Sequence, residues 1–173
     1  MLNLKQKALL ALLQPNNSEF DFSVLSAEDW DAVRKESYAQ AVPIVAFDGT
    51  ARCKQYIPKE VYTAWFENSM QCLVRNSQVL SSQNKLVKIL DDNNFSYIIL
   101  KGLASASYYP DPKKRALGDV DFLISPTEQQ AVEKALIDAG YRKEQDDHIC
   151  HRVFKKPHEH FEMHFEVAGI PEG

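Results

Sequence analysis

Cysteine is scarce in the sequence and follows no recognisable framework. The 173 residues include three cysteines, Cys53, Cys72 and Cys150. They match neither an even set of disulfides nor a Cys-x-x-Cys zinc pattern. A reducing cytoplasm is the simplest setting for such a chain, and we therefore expect a cytoplasmic protein.

Long hydrophobic runs are also lacking. The apolar stretch near the N-terminus, residues 8–13, is too short to span a bilayer and has no small-residue cleavage site of a secretion signal. We interpret it as part of an amphipathic surface helix, and we expect no association with membranes.

The chain has no excess of positive charge. Its 20 Lys and Arg residues stand against 24 Asp and Glu residues, a formal net charge of -4, so it lacks the general basic surface that coats nucleic acid. Duplex DNA is therefore not an expected partner. With 45% hydrophobic and 25% charged residues, the composition is that of a folded globular protein.

The first half of the chain has the periodicity of helices. Apolar residues recur at spacings of three and four over residues 2–13, 26–40 and 58–92. Ser26 and Asp29 have the spacing of a capping box, which predicts the start of the second helix. A break in the third helix is expected near residues 76–82.

From about residue 95 the pattern changes to strands. Residues 95–100 are β-branched and aromatic, which predicts a buried strand. The remaining elements follow in order: a helix over 128–139, a hairpin with arms 141–145 and 149–155 across Asp146 and Asp147, and an alternating strand over 158–167. The sequence thus predicts an α+β protein with an N-terminal helical region, 1–94, and an α+β core, 95–173.

Two carboxylates open one of the predicted strands. Asp119 and Asp121 are separated by one residue, so strand alternation places them on the same face, about 7 Å apart. Their mutual repulsion is relieved by a cation, and hard oxygen ligands of this kind suit Mg²⁺ or Mn²⁺.

A third acid lies in the last predicted strand. Glu162 has apolar residues on both sides, and Glu166 is the alternative on the same face. A strand, a glycine turn, a helix, a strand with Asp-x-Asp and a later strand with an acid form the layout of a two-metal phosphoryl-transfer site. Asp119, Asp121 and Glu162 are therefore the predicted metal ligands and catalytic residues.

Several residues before the acids suit a phosphate group. Gly102 lets backbone N–H groups approach an anion at the start of a helix, and Ser105 adds a hydroxyl. Arg115 offers a bidentate guanidinium, and Lys101 offers a second cation. Arg115 ends a basic run, residues 113–115. The alternative interpretation of this run is a solvated loop.

All five histidines fall in the last part of the chain: His148, His151, His158, His160 and His164. Two of them, His160 and His164, flank Glu162 on one strand face, which leaves a transition-metal site as one interpretation. No HExxH or CxxC pattern is present. We therefore favour a role for His164 as a neighbour that orients a carboxylate or contacts the nucleotide phosphates.

As a set, these motifs resemble the uncharacterised bacterial nucleotidyltransferase family called type 5, within the DNA polymerase beta-like superfamily. The resemblance covers residues 69–167 and rests on Ile98–Gly102, Tyr109–Pro112, Arg115, Gly118–Ile124, Gly140–Tyr141 and Glu162–Phe165. It implies a mixed β-sheet flanked by helices and divalent metal on the three acids. It also implies transfer of a nucleoside monophosphate from an NTP, such as ATP, to an acceptor that the residues do not identify.

The chain departs from the family pattern at two places. The Gly-Ser that the wider superfamily usually has after the first strand is replaced by Lys101-Gly102-Leu103. Members of the type 5 family commonly continue well beyond the third acid, whereas this chain ends at Gly173. A C-terminal truncation is one expectation. Another is a non-catalytic nucleotide- or partner-binding module, antitoxin-like or regulatory, that retains the fold. The N-terminal helices are a candidate homodimer face.

Overall fold

The computed structural model describes residues 2–14, 19–145 and 148–166. Its helices are α1 (Leu4–Leu13), α2 (Ala27–Ala39), α3 (Pro43–Gly49), α4 (Lys59–Asp92), α5 (Gly102–Ala106) and α6 (Gln129–Asp138). Its strands are β1 (Tyr97–Leu100), β2 (Val120–Ile124), β3 (Arg142–Lys143), β4 (His151–Lys156) and β5 (Glu159–His164). No helix among these residues is long and apolar enough to cross a membrane.

The chain forms two compact units. One joins the chain up to Asn76 with Asp111–Ala116, and the other joins Ser77–Pro110 with the chain from Leu117 onward. Helix α4 therefore contributes its first half to one unit and its second half to the other.

The five strands form one sheet in the order β1-β2-β5-β4-β3. β2 and β5 are parallel, whereas the other three neighbouring pairs are antiparallel. Side chains of α4 and α6, among them Leu90 and Leu136, pack with Phe122, Phe154 and Phe161 of the sheet in one buried core. The predicted α+β fold with a mixed sheet flanked by helices is confirmed.

The first unit is helical and has a core of its own. The capping box at the start of α2 is confirmed, because Asp29 N–H donates to Ser26 Oγ at 3.1 Å and Ser26 N–H donates to the Asp29 carboxylate at 3.0 Å. Helix α1 is amphipathic, as predicted: Leu4, Lys7 and Leu10 are exposed, whereas its other side is buried. Its residues Ala8 and Leu12 lie in the core with Trp30 and Trp65.

The predicted break in the third helix is wrong, because α4 is continuous over 34 residues. The polar residues in this part of α4 form hydrogen bonds that do not interrupt the helix. The buried Asn76 amide donates to the backbone carbonyls of Lys113 and Arg115, and Ser82 Oγ donates to the carbonyl of Gln78 one turn earlier at 2.9 Å.

Strand β1 corrects a second prediction. Residues 95–100 were expected to form a buried strand, but β1 is shorter and lies at the edge of the sheet, where it pairs with β2. Ile98 is 61% exposed, whereas Tyr97 and Ile99 pack on the core. An edge strand covered on one face has the same apolar composition as a buried strand, so composition alone did not distinguish them.

The last two predicted strand regions are confirmed in outline. β3 pairs with β4 as a hairpin, although the expected turn residues, Asp146 and Asp147, lie outside the described residues. β5 alternates as predicted, with Phe161 and Met163 buried in the core. It ends at His164, and the predicted continuation to Val167 extends outside the described residues.

Candidate active site

The pairing of β2 with β5 brings the predicted acids together. In this parallel pair Asp121 is the register partner of Glu162, and Asp119 lies one residue before β2. Asp121 is 5% exposed, whereas Asp119 and Glu162 are half-buried. The site therefore lies on two neighbouring strands in the interior of the sheet, with Asp121 and Glu162 on the strands and Asp119 immediately before β2.

His164 lies beside the Asp121 carboxylate, as the sequence suggested for a residue that orients an acid. Its Nε2 atom is 3.1 Å from Asp121 Oδ1 and 3.8 Å from Glu162 Oε2. The first distance is that of a hydrogen bond, and the second is a looser electrostatic contact. His164 thus connects two of the three acids on one face of the sheet.

Lys101 reaches the same carboxylate from the end of β1. Its Nζ atom is 3.2 Å from Asp121 Oδ1, although the lysine side chain is 66% exposed. Both Lys101 (φ 46°) and Gly102 (φ 49°) have left-handed backbone conformations. Glycine adopts this conformation readily, but for lysine it costs on the order of 1 kcal/mol. The turn therefore holds a strained lysine next to a buried acid.

The carboxylates influence one another electrostatically. Burial, and next the negative charges of Asp119 and Asp121, raise the pKa of the Glu162 carboxyl above its ordinary value, against a smaller opposing effect of His151. A raised pKa means that the ionised form of Glu162 is disfavoured. A divalent cation among the three acids would reverse this, because it stabilises every ionised carboxylate that it contacts.

Two sets of side chains have the geometry to hold a metal ion. One set is Asp119, His160 and Glu162, and the other is Asp121, Glu162 and His164. Within each set one ligand atom per residue lies within 4.8 Å of the others. Glu162 belongs to both sets, so the three predicted acids and two imidazoles form one continuous cluster whose donor atoms fit a divalent cation.

Two histidines in or beside the cluster were not among the predicted site residues. His160 lies on the same face of β5 as Glu162, and the alternation of side chains along a strand was enough to predict this from the sequence. His151, the register partner of His164 in β4, has its ring centroid 5.3 Å from that of His164. Its proximity depends on the pairing of β4 with β5, which no local pattern reveals.

The residues that were predicted to contact phosphate do not all belong to the same unit. Gly102 begins the short helix α5, and Ser105 is half-buried within it. Arg115 belongs to the first unit, where its backbone carbonyl is bonded by Asn76, and its contact with phosphate stays a prediction. Lys114 of the same basic run pairs with Asp48. Glu166, the alternative third acid, is exposed and lies beyond the end of β5.

Comparison with known families adds an independent observation. A family model described as uncharacterised nucleotidyltransferase matches residues 26–170, most of the chain. A search of curated proteins returns no match. The matched region contains every residue of the cluster described above, from Lys101 to His164.

Proposed function

Because this chain belongs to the family of uncharacterised nucleotidyltransferases, we propose that it moves a nucleoside monophosphate from an NTP to an acceptor hydroxyl with the help of a divalent metal. The observation that carries the proposal is the register of β2 and β5. It places Asp121 beside Glu162 and joins Asp119 to the same cluster. The carboxylates are the expected ligands of Mg²⁺ or Mn²⁺.

In the proposed reaction the acceptor oxygen attacks the α-phosphorus, and the bond from this phosphorus to the bridging oxygen breaks, so that pyrophosphate leaves. Bound divalent cations would polarise the attacking oxygen and neutralise charge on the leaving group. Asp119, Asp121 and Glu162 would hold these cations. Glu162, the third acid, is also the candidate base for the acceptor proton.

Other residues of the cluster position the reactants. His164 fixes the Asp121 carboxylate through a hydrogen bond, which a metal ligand needs in order to keep its orientation. Lys101 supplies a positive charge at the turn, and Gly102 and Ser105 offer N–H and hydroxyl donors to the phosphates. The acceptor and the nucleotide base are not identified by these residues.

The experiment is calorimetric titration of the full chain with ATP, GTP, CTP and UTP, in Mg²⁺ and in EDTA. We expect binding of at least one nucleotide in Mg²⁺ and its loss in EDTA and in the Asp119→Asn/Asp121→Asn double variant. Asp138→Asn is the matched control, because Asp138 is an exposed acid paired with Lys134 on α6. Binding unaffected by the double variant would contradict the proposal.

The alternative function is a non-catalytic nucleotide- or partner-binding module with the same fold. The observation that favours it is the ion pair between Lys101 and Asp121, in which the chain's own cation already neutralises part of the acidic cluster. Nucleotide binding that persists in EDTA and in Glu162→Gln would favour this module. Pyrophosphate release from the bound NTP, dependent on Glu162, would favour the enzyme.

A further inference from the structure

His160 has an unusual position for a polar side chain. Its Nε2 atom is inaccessible to solvent and has no hydrogen-bond partner among the described residues. A buried polar atom without a partner costs about 1–3 kcal/mol, so folded proteins rarely keep one unless a ligand, an ion or water satisfies it. The imidazole of His160 therefore has an unmet bonding capacity inside the acidic cluster.

The neighbours of His160 indicate what would satisfy it. A ring nitrogen of His160 and one carboxylate oxygen each of Asp119 and Glu162 lie within 4.8 Å of one another, yet no direct hydrogen bond joins His160 to either acid. Ligands that share one ion at about 2.0–2.2 Å are separated by about 3–4 Å. The spacing thus suits a shared ion.

His164 provides an internal comparison. It occupies the same face of β5 on the other side of Glu162, but its Nε2 atom already bonds Asp121 at 3.1 Å. The two histidines flanking Glu162 are therefore not equivalent. The Nε2 atom of His164 has a partner within the protein, whereas the Nε2 atom of His160 has none in the part of the chain that the structure describes.

We propose that His160 is a metal ligand, together with Asp119 and Glu162, and that this imidazole makes the position selective for a first-row transition ion over Mg²⁺. Mg²⁺ prefers oxygen ligands, whereas imidazole nitrogen binds transition ions better. The inference rests on the proposed function of the same site and specifies the class of metal that the site takes.

The test is titration of the full chain, without nucleotide, with Mn²⁺ and with Mg²⁺. We expect Mn²⁺ to bind wild-type protein about tenfold or more tightly than Mg²⁺. His160→Asn should weaken Mn²⁺ binding by about tenfold and leave Mg²⁺ binding within about twofold. Pulsed electron paramagnetic resonance of bound Mn²⁺ should show a nitrogen coupling that is lost or weakened in His160→Asn. His160→Gln serves as a second variant if His160→Asn folds poorly by circular dichroism.

The matched control is His158→Asn, which also removes an imidazole. His158 is exposed in the turn before β5 and has a φ of 65°, a conformation that asparagine tolerates. An unchanged Mn²⁺ affinity and nitrogen coupling in His160→Asn would overturn the inference while leaving the nucleotidyltransferase proposal intact. If the Asp119→Asn/Asp121→Asn variant still bound both Mn²⁺ and Mg²⁺ as tightly as wild type, the metal site would be contradicted, and with it both proposals.

Discussion

The side-chain amide of Asn76 donates to the backbone carbonyl of Arg115 at 2.7 Å, and the same nitrogen donates to the carbonyl of Lys113 at 2.8 Å. Asn76 is buried within α4, and its two bonds hold the basic segment before the acids. The buried Asn76 amide thus attaches the loop that contains Lys113 and Arg115 to α4.

We expect Asn76→Ala to destabilise the protein by about 1–3 kcal/mol, because two backbone carbonyls lose their donor and a buried site is left empty. The free energy of unfolding in urea measures this. Gln78→Ala, which alters an exposed residue of the same helix, is the control and should remain within about 0.5 kcal/mol of wild type. Equal stability of the two variants would contradict the anchoring role of Asn76.

Gly49 is required by the close approach of α3 to α1. A Cβ atom built on Gly49 would lie 2.2 Å from the carbonyl oxygen of Leu12, and backbone cannot move aside as a flexible side chain would. We expect Gly49→Ala to lower the free energy of unfolding by about 1–3 kcal/mol.

Gly118 is the matched control for Gly49. No atom lies within 4 Å of a Cβ built there, and its φ is not in the left-handed region. Thermal or urea unfolding of Gly118→Ala should therefore differ little from wild type. A stable Gly49→Ala variant would show that α1 and α3 can separate at small cost.

The strained backbone of Lys101 allows its effect on stability to be measured separately from its effect on nucleotide binding. Lys101→Gly and Lys101→Ala both remove the ammonium group next to Asp121, but only glycine relieves the positive φ. We expect Lys101→Gly to be more stable than Lys101→Ala by about 1 kcal/mol, measured by urea unfolding.

Both Lys101 variants should bind a triphosphate about tenfold more weakly than wild type, because each loses the same positive charge. Calorimetric titration with the preferred nucleotide measures this. If triphosphate affinity is unchanged in both variants, Lys101 has a structural role at the turn and does not contact the phosphates.

The capping box of α2 makes stability depend on pH. Hydrogen bonds from the Ser26 hydroxyl, and next from its backbone N–H, lower the pKa of the Asp29 carboxyl below its ordinary value. Since the unfolded value is about 3.9, the stabilisation is complete above this pH and is lost as the pH falls through the lower folded value. Urea unfolding should therefore show that Asp29→Ala is less stable than wild type at pH 5–7, and that the difference shrinks as the pH falls below about 3.9.

Ser26→Ala provides the control for this pH dependence. Removal of the N-cap hydroxyl should cost about 1 kcal/mol, and a further Asp29→Ala substitution in that variant should have a smaller effect than in wild type, because the two residues act as a pair. A pH-independent effect of Asp29→Ala would contradict the hydrogen-bonded carboxylate.

Strand alternation was sufficient to predict which face of β5 carries Glu162 and His164, because a period of two is a local property of the chain. The capping box at Ser26 was equally local. By contrast, the apolar residues of β1 gave no indication that it would be an edge strand with Ile98 exposed. The sequence also gave no indication that α4 would continue through Asn76, because the hydrogen-bond partners of its amide are 37 and 39 residues away.

The α+β class, the family and most of the helices and strands were readable from the chain, since each depends on periodicity or on motifs of a few residues. The role of the three acids as metal ligands stays a prediction. The parallel pairing of β2 with β5 was not readable, because register between distant strands is set by packing of the whole sheet. That pairing places Asp121 next to Glu162. His160 and Asp119 also lie close to Glu162. The acids and imidazoles of the cluster are therefore determined by the sequence, and their assembly into one cluster is determined by the fold.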